Sequence, residues 1–447
     1  MTTKKATKTS TKSSSKKTTT KKSSKKTSKK GSKKSSPASG KEVRIRMYNV
    51  GFGDAFLVLL PANGKQRRIL FDCGSIQAAT DVPMASIVDR IIEDVTDEDG
   101  VPRIDVVVAT HRHKDHISGF GNAKWNSVEV KEVWMPWTED PTDAEGRKIR
   151  DIQSSLALAL NTSLTKPAVG LSAAELDARR RSLEIVANAL MLTNEKEMKT
   201  LHSGFIGDPE RRFLPIKPKA DNNSRLLKTD VLPGVKIHVL GPSRERDVIR
   251  DMDPPKGESF LRMRASIDVD TSLPPAPFSA EFCHNDYEGT GTLLPTDRDG
   301  IKQAGSLTDL AIAVALDKAV NGTSLMLVLE VGGTFLLFPG DAQWGTWHAA
   351  MQDPEWQQML KNVAFYKIGH HGSHNATPKD FVDQMMPDGI CAMASTLTRD
   401  VWPDIPRIPL LDRLAEKKVN VARSDKPNKI GNTFVLDEGV IETRIPL

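Results

Sequence analysis

Between Asp105 and Phe120 the chain reads DVVVATHRHKDHISGF, and this stretch limits what the chain can fold into more than any other. Asp105 to Ala109 is a short β-branched run suited to a buried strand, and three histidines and an aspartate follow at its end. His111, His113, Asp115 and His116 cannot share one face of a regular strand or helix, so the loop is expected to wrap them around something central. Imidazole and carboxylate at that density suit Zn²⁺, or Mn²⁺ or Fe²⁺ where oxygen ligands are more numerous.

Charge separates the chain into two parts. Of the 63 basic residues, 15 lysines fall in residues 1–41, where there is no acid; the 48 that remain face 57 acidic residues, leaving the body net negative by about 9. Residues 1–41 are nearly all Lys, Ser and Thr and hold too little apolar surface to offset the entropy of ordering, so a disordered tail is expected there. Its doublets Lys16-Lys17, Lys21-Lys22 and Lys25-Lys26 are candidates for attracting the phosphates of a nucleic acid. Residues 42–447 are expected to form the folded body. Cys73, Cys283 and Cys391 are odd in number and far apart, which excludes a disulfide scaffold and a Cys-x-x-Cys metal site. With no long apolar segment and no apolar run behind the basic N-terminus, no membrane span is expected, and a cytoplasmic location is.

Along the chain, Val43–Val50, Ala55–Leu60 and Arg68–Phe71 read as strands, and Pro83–Val95 as an amphipathic helix before the central strand. After a strand at Val130–Met135, two insertions over the core are expected, at about 140–230 with two helices and at about 242–305 with long loops. The core resumes with strands at Leu310–Leu316 and Leu325–Val331. The strand Thr334–Phe338 runs into Asp341; Gln343–Leu360 reads as one helix, and Val363–Ile368 as a strand that ends at His370, His371 and His374. Asp72 closes another strand, where a carboxylate can fix the tautomer of a metal-binding histidine. Several strand ends therefore carry metal-competent residues, which is how α/β enzymes assemble sites.

In this order, Asp72, the His111-x-His113-x-Asp115-His116 loop, Gly340-Asp341 and His370 resemble the motifs of the metallo-β-lactamase fold superfamily. Asn49 to Ala55, Ile69 to Gly74, Ser324 to Ala342 and His370 to Ser373 are similar to the branch that includes the hydrolase domain of bacterial competence DNA-uptake proteins. The resemblance implies an α/β fold, an αββα sandwich with helical and loop insertions. It implies one or two Zn²⁺ or Mn²⁺ ions, with His111 and His113 on the first, Asp115 and His116 on the second, Asp341 between them and His370 completing the second. His371 stands as the alternative ligand or as a catalytic group facing the substrate, Asp115 as a proton carrier, and Asp54 and His374 as supports near the centre. No histidine between His116 and Asp341 has the neighbours of a third ligand for the first ion, so that half is expected to be oxygen-rich, weaker or empty. The function implied is metal-dependent hydrolysis. A phosphodiester or nucleic acid is the favoured substrate; a small ester, lactone or thioester, or a silent binding protein on the same fold, are the alternatives.

Overall fold

The computed structural model describes residues 42–77, 82–166, 171–189, 194–217, 225–255, 257–259 and 309–447. The lysine doublets of the tail and most of the second expected insertion lie outside the described residues.

Strands are numbered along the chain. The first sheet has the order β14-β15-β1-β2-β3-β4-β5-β6 and contains β1 (Glu42–Tyr48), β2 (Phe56–Ala62), β3 (Lys65–Phe71), β4 (Arg103–Val108), β5 (Glu129–Pro136), β6 (Glu210–Leu214), β14 (Phe434–Asp437) and β15 (Val440–Pro446). The second, β13-β12-β11-β10-β9-β8-β7, contains β7 (Leu226–Leu227), β8 (Val235–Gly241), β9 (Met326–Val331), β10 (Thr334–Phe338), β11 (Val363–Lys367), β12 (Cys391–Ala394) and β13 (Asn420–Arg423).

The continuous apolar runs are explained by burial on both faces. On β4, Val106 and Val108 point into a core shared by the two sheets, while Ile104 and Val107 point outward to the layer that holds the helix Met84–Val95. On β9, Leu327, Leu329 and Val331 enter the shared core, and Met326 and Val328 face the layer of Trp344–Gln352 and Pro354–Leu360. Phe71 and Phe338 stack across the sandwich with ring centroids 4.2 Å apart. The layers run α, β, β, α, the arrangement that the resemblance implies.

Three readings need correction. The run at Leu310–Leu316 is not a core strand but part of a helix, 309–321; Ala313, Leu316 and Val320 recur at helical spacing and are buried together, a periodicity that a short apolar run hides. The helix expected over Gln343–Leu360 breaks in two because Asp353 caps a new start at Pro354, accepting from the backbone N–H groups of Glu355 (3.0 Å) and Trp356 (3.2 Å). The first insertion also lends strand β6 to the first sheet.

Helix 309–321 packs with two insertion helices, Ala144–Leu164 and Ala173–Ala189, through Ala157, Leu160, Leu164, Ile185, Val186 and Leu316, with Val401 in the same cluster. These helices form a cap of their own beside the sandwich.

Candidate metal centre

Strand direction gathers the site. The pairs β3–β4 and β4–β5 are parallel, as are β10–β11 and β11–β12, so each set of carboxyl ends shares one edge of its sheet. Asp72 follows β3, and Thr110, His111, His113, Asp115 and His116 follow β4. Asp341 follows β10; Lys367 ends β11, with His370 and His371 just beyond, and Ser395 follows β12. His111, His113, Asp115, His116, Asp341 and His371 are all buried.

The ring nitrogens sort into an outer and an inner set. His116 Nδ1 donates to Asp72 Oδ2 (2.8 Å), and Asp72 is itself held by the backbone N–H and hydroxyl of Thr110, each at 2.7 Å. Because the Thr110 proton goes to Asp72, its oxygen accepts from His111 Nδ1 at 3.2 Å. His371 Nδ1 donates to the Ser395 carbonyl at 2.8 Å. With the outer nitrogens protonated, the inner ones carry lone pairs, and these face other acceptors. His116 Nε2 lies 3.1 Å from Asp341 Oδ2, His371 Nε2 lies 3.1 Å from Asp115 Oδ2, and His111 Nε2 lies 3.0 Å from His113 Nδ1.

Two acceptors at such distances need a cation between or beside them, either a proton or a metal ion. Donor atoms of His111, His116 and Asp341 lie within 4.8 Å of one another, as do those of Asp115, His116 and His371. Asp115 Oδ1 is buried with no hydrogen bond. This donor set fits divalent ions. The third cluster, Asp54, Asp72 and His116, lies on the Nδ1 side of His116, where hydrogen bonding to Asp72 already accounts for it.

Without metal, protons fill the gap in part. Burial opposes the imidazolium of His116, but Asp341, Asp72 and Asp115 outweigh it and hold its pKa well above the ordinary range. Burial likewise opposes the charged form of His371, and its contacts with Asp115 and Asp54 outweigh it and raise its pKa. His113 is pushed down to about 4 and His111 well below its usual value, in both cases chiefly by burial, so both keep lone pairs available near neutrality.

The two adjacent histidines separate. Both take left-handed backbone, φ 44° for His370 and 54° for His371, a conformation that costs a β-carbon-bearing residue about 1–2 kcal/mol. The result turns His371, and not His370, toward Asp115. His370 stands at the rim with its side chain 15% exposed; its Nε2 is 3.8 Å from Asp341 Oδ2, and its Nδ1 is 3.3 Å from Asn375 Oδ1. His374 is half-buried outside the cluster, its nearest charged neighbours being Arg407, Lys318, Asp253 and His370. Asp54 is buried and paired with the ammonium of Lys367, which also lies 3.6 Å from Asp341 Oδ1.

Lys367 escaped the sequence reading, although a lysine ending a buried strand three residues before His370 is a usable signal. Its ammonium offsets part of the negative charge that Asp54, Asp72 and Asp341 bring together; burial opposes its charge, yet Asp54 and Asp341 raise its pKa. Thr110 and Ser395 were missed as well. The cap also reaches the centre, since the Asp115 N–H donates to Asn188 Oδ1 at 3.4 Å and Asn321 Nδ2 lies 3.4 Å from His370 Nε2.

The chain matches no known family model and no curated protein. Among solved structures, the metallo-beta-lactamase fold protein YhfI from Bacillus subtilis superposes over 86% of this chain and 97% of its own, at 10% sequence identity and a TM-score of 0.32. At that score the likeness adds nothing to what strand order and donor geometry say by themselves. No described helix is long and apolar enough to cross a membrane.

Proposed function

We propose that the protein is a metal-dependent hydrolase of the metallo-β-lactamase superfamily, acting on phosphodiesters. The observation that carries the metal-dependent part is the convergence of inward-facing histidine nitrogens and carboxylate oxygens, described above, at the carboxyl ends of strands from both sheets. His111, His113 and Asp341 would hold one ion; Asp115, His116 and His371, with Asp341 shared, would hold a second. Divalent ions there would lower the pKa of a water molecule toward neutrality and offset charge developing on the attacked group. Asp72, Thr110 and the Ser395 carbonyl keep the rings aimed inward, and Lys367 holds Asp54 and steadies Asp341. His370, whose Nδ1 faces Asn375, is the group at the rim able to take up or return a proton at Nε2.

The phosphodiester part is supported by the lysine-rich segment in residues 1–41 and by the resemblance of Gly51–Asp54 and His370–Ser373 to the DNA-uptake branch. The net-negative body favours a strand end or flexible single strand over the interior of a duplex. With Mn²⁺ or Zn²⁺, labelled single-stranded oligonucleotides are expected to be cut faster than duplexes, above an Asp341→Asn control. Removing residues 1–41 should weaken binding and flatten its salt dependence while leaving cleavage at saturation intact. No cleavage above the control, alongside turnover of a lactone or thioester, would replace this substrate with a small ester-like one.

A further inference from the structure

Of the four buried histidines at the centre, three have their outer nitrogen tied: His111 to Thr110, His116 to Asp72 and His371 to the Ser395 carbonyl. His113 is the exception. Its Nδ1 faces His111, and its Nε2, on the opposite side of the ring, is buried with no hydrogen bond. A buried N–H left unmade costs about 1–3 kcal/mol. The acid facing that nitrogen does not come from the sandwich. It is Asp317 of helix 309–321, whose Oδ1 lies 3.6 Å from His113 Nε2.

Asp317 is itself buried and close to the carboxylates of Asp115 and Asp341, an expensive place for another acid unless a donor needs it. The neighbouring Lys318 lends it charge at a distance but directs its ammonium to both oxygens of Asp253 at 2.7 Å. One turn further along, Asn321 Nδ2 donates to Asp317 Oδ2 at 3.2 Å and leaves Oδ1 turned toward His113. A closure of a few tenths of an ångström makes a hydrogen bond of the present contact.

We infer that Asp317 is a positioning residue supplied by the cap, which accepts the proton of His113 Nε2 and so presents the Nδ1 lone pair to the ion shared with His111. The inference rests on the reading of this cluster as a metal centre. Carboxylate partners of metal-bound histidines fix the tautomer and raise ligand basicity, and removing one typically weakens metal binding about 10–100-fold. It also makes the inserted helix part of the centre: the cap cannot move off without releasing His113.

The test is a zinc titration of the full chain in competition with a chromophoric chelator, on the wild type and on Asp317→Asn, Asp317→Ala and Asp317→Glu, with thermal unfolding of each. Asp317→Asn is nearly isosteric and keeps the comparison usable if the alanine variant folds poorly. One of two zinc affinities is expected to fall about 10–100-fold in the Asn and Ala variants, with substantial recovery in Glu and the other affinity little changed. Unchanged affinities would overturn the role. So would an equal loss at both ions together with a lowered Tm, which would assign Asp317 to packing of the helix. Absence of tight zinc from the wild type itself would instead remove the metal reading on which the inference stands.

Discussion

Asp341→Asn is expected to abolish hydrolysis while leaving the sandwich folded. Asp341 Oδ2 faces His116 Nε2 at 3.1 Å within the group formed with His111, and its Oδ1 accepts from the His370 N–H at 3.2 Å. The amide keeps the shape and can accept that backbone bond, but it removes the charge that would be shared by two cations. A loss of about 4 kcal/mol of transition-state stabilisation corresponds to a rate fall on the order of a thousandfold. Circular dichroism and initial rates on the same preparation check it. Near-normal turnover with an unchanged fold would reduce Asp341 to a turn residue.

Gly53→Ala should damage the centre from outside it. Gly53 has φ +156°, and a β-carbon there would lie 2.2 Å from the Gly74 carbonyl oxygen, 2.6 Å from that of Asp115 and 2.8 Å from the Ser75 α-carbon. None of these backbone atoms is the tip of a flexible side chain that can swing away. The turn is tied to the histidine loop by the Asp54 N–H donating to the Asp115 carbonyl at 2.9 Å, and the stretch after β3 that it abuts is tied there by the Cys73 N–H donating to the His116 carbonyl at 2.8 Å. Relief of the clash must therefore shift the backbone that carries Asp115 and His116. A stability loss of about 2–3 kcal/mol is expected, within the range for overpacked interiors, with a weakening of metal binding of at least about tenfold. Denaturant unfolding with zinc titration measures both, and an alanine variant that matches the wild type in both would show that the turn yields without moving the loop.

The sequence was most legible where one physical cause acted alone. Apolar runs ending in histidine or aspartate marked the strand ends of the site, because a strand buried on both faces carries polar residues at least cost at its tip. Helix 309–321 was misread because Leu310 to Leu316 is apolar throughout, and periodicity cannot separate a buried strand from a helix over so few residues. The same misreading concealed Asp317 and Asn321, whose positions matter only once the run is wound into a helix and laid over the loop. The choice between His370 and His371 was equally beyond the sequence. Adjacency says nothing about which ring turns inward, and the answer lies in two left-handed residues. The final strands β14 and β15, which extend the first sheet past β1, depend on pairing across nearly the whole chain; Glu42 opposite Pro446 has no local signature.

The most direct test of the whole account is a metal count. Elemental analysis of the full chain, purified without chelator and again after dialysis against Zn²⁺ or Mn²⁺, is expected to find one or two divalent ions per chain. His111→Ala with His113→Ala, which removes both nitrogens that face each other at 3.0 Å, should lose at least one of them. Equal metal content in the wild type and the double variant would contradict the central claim.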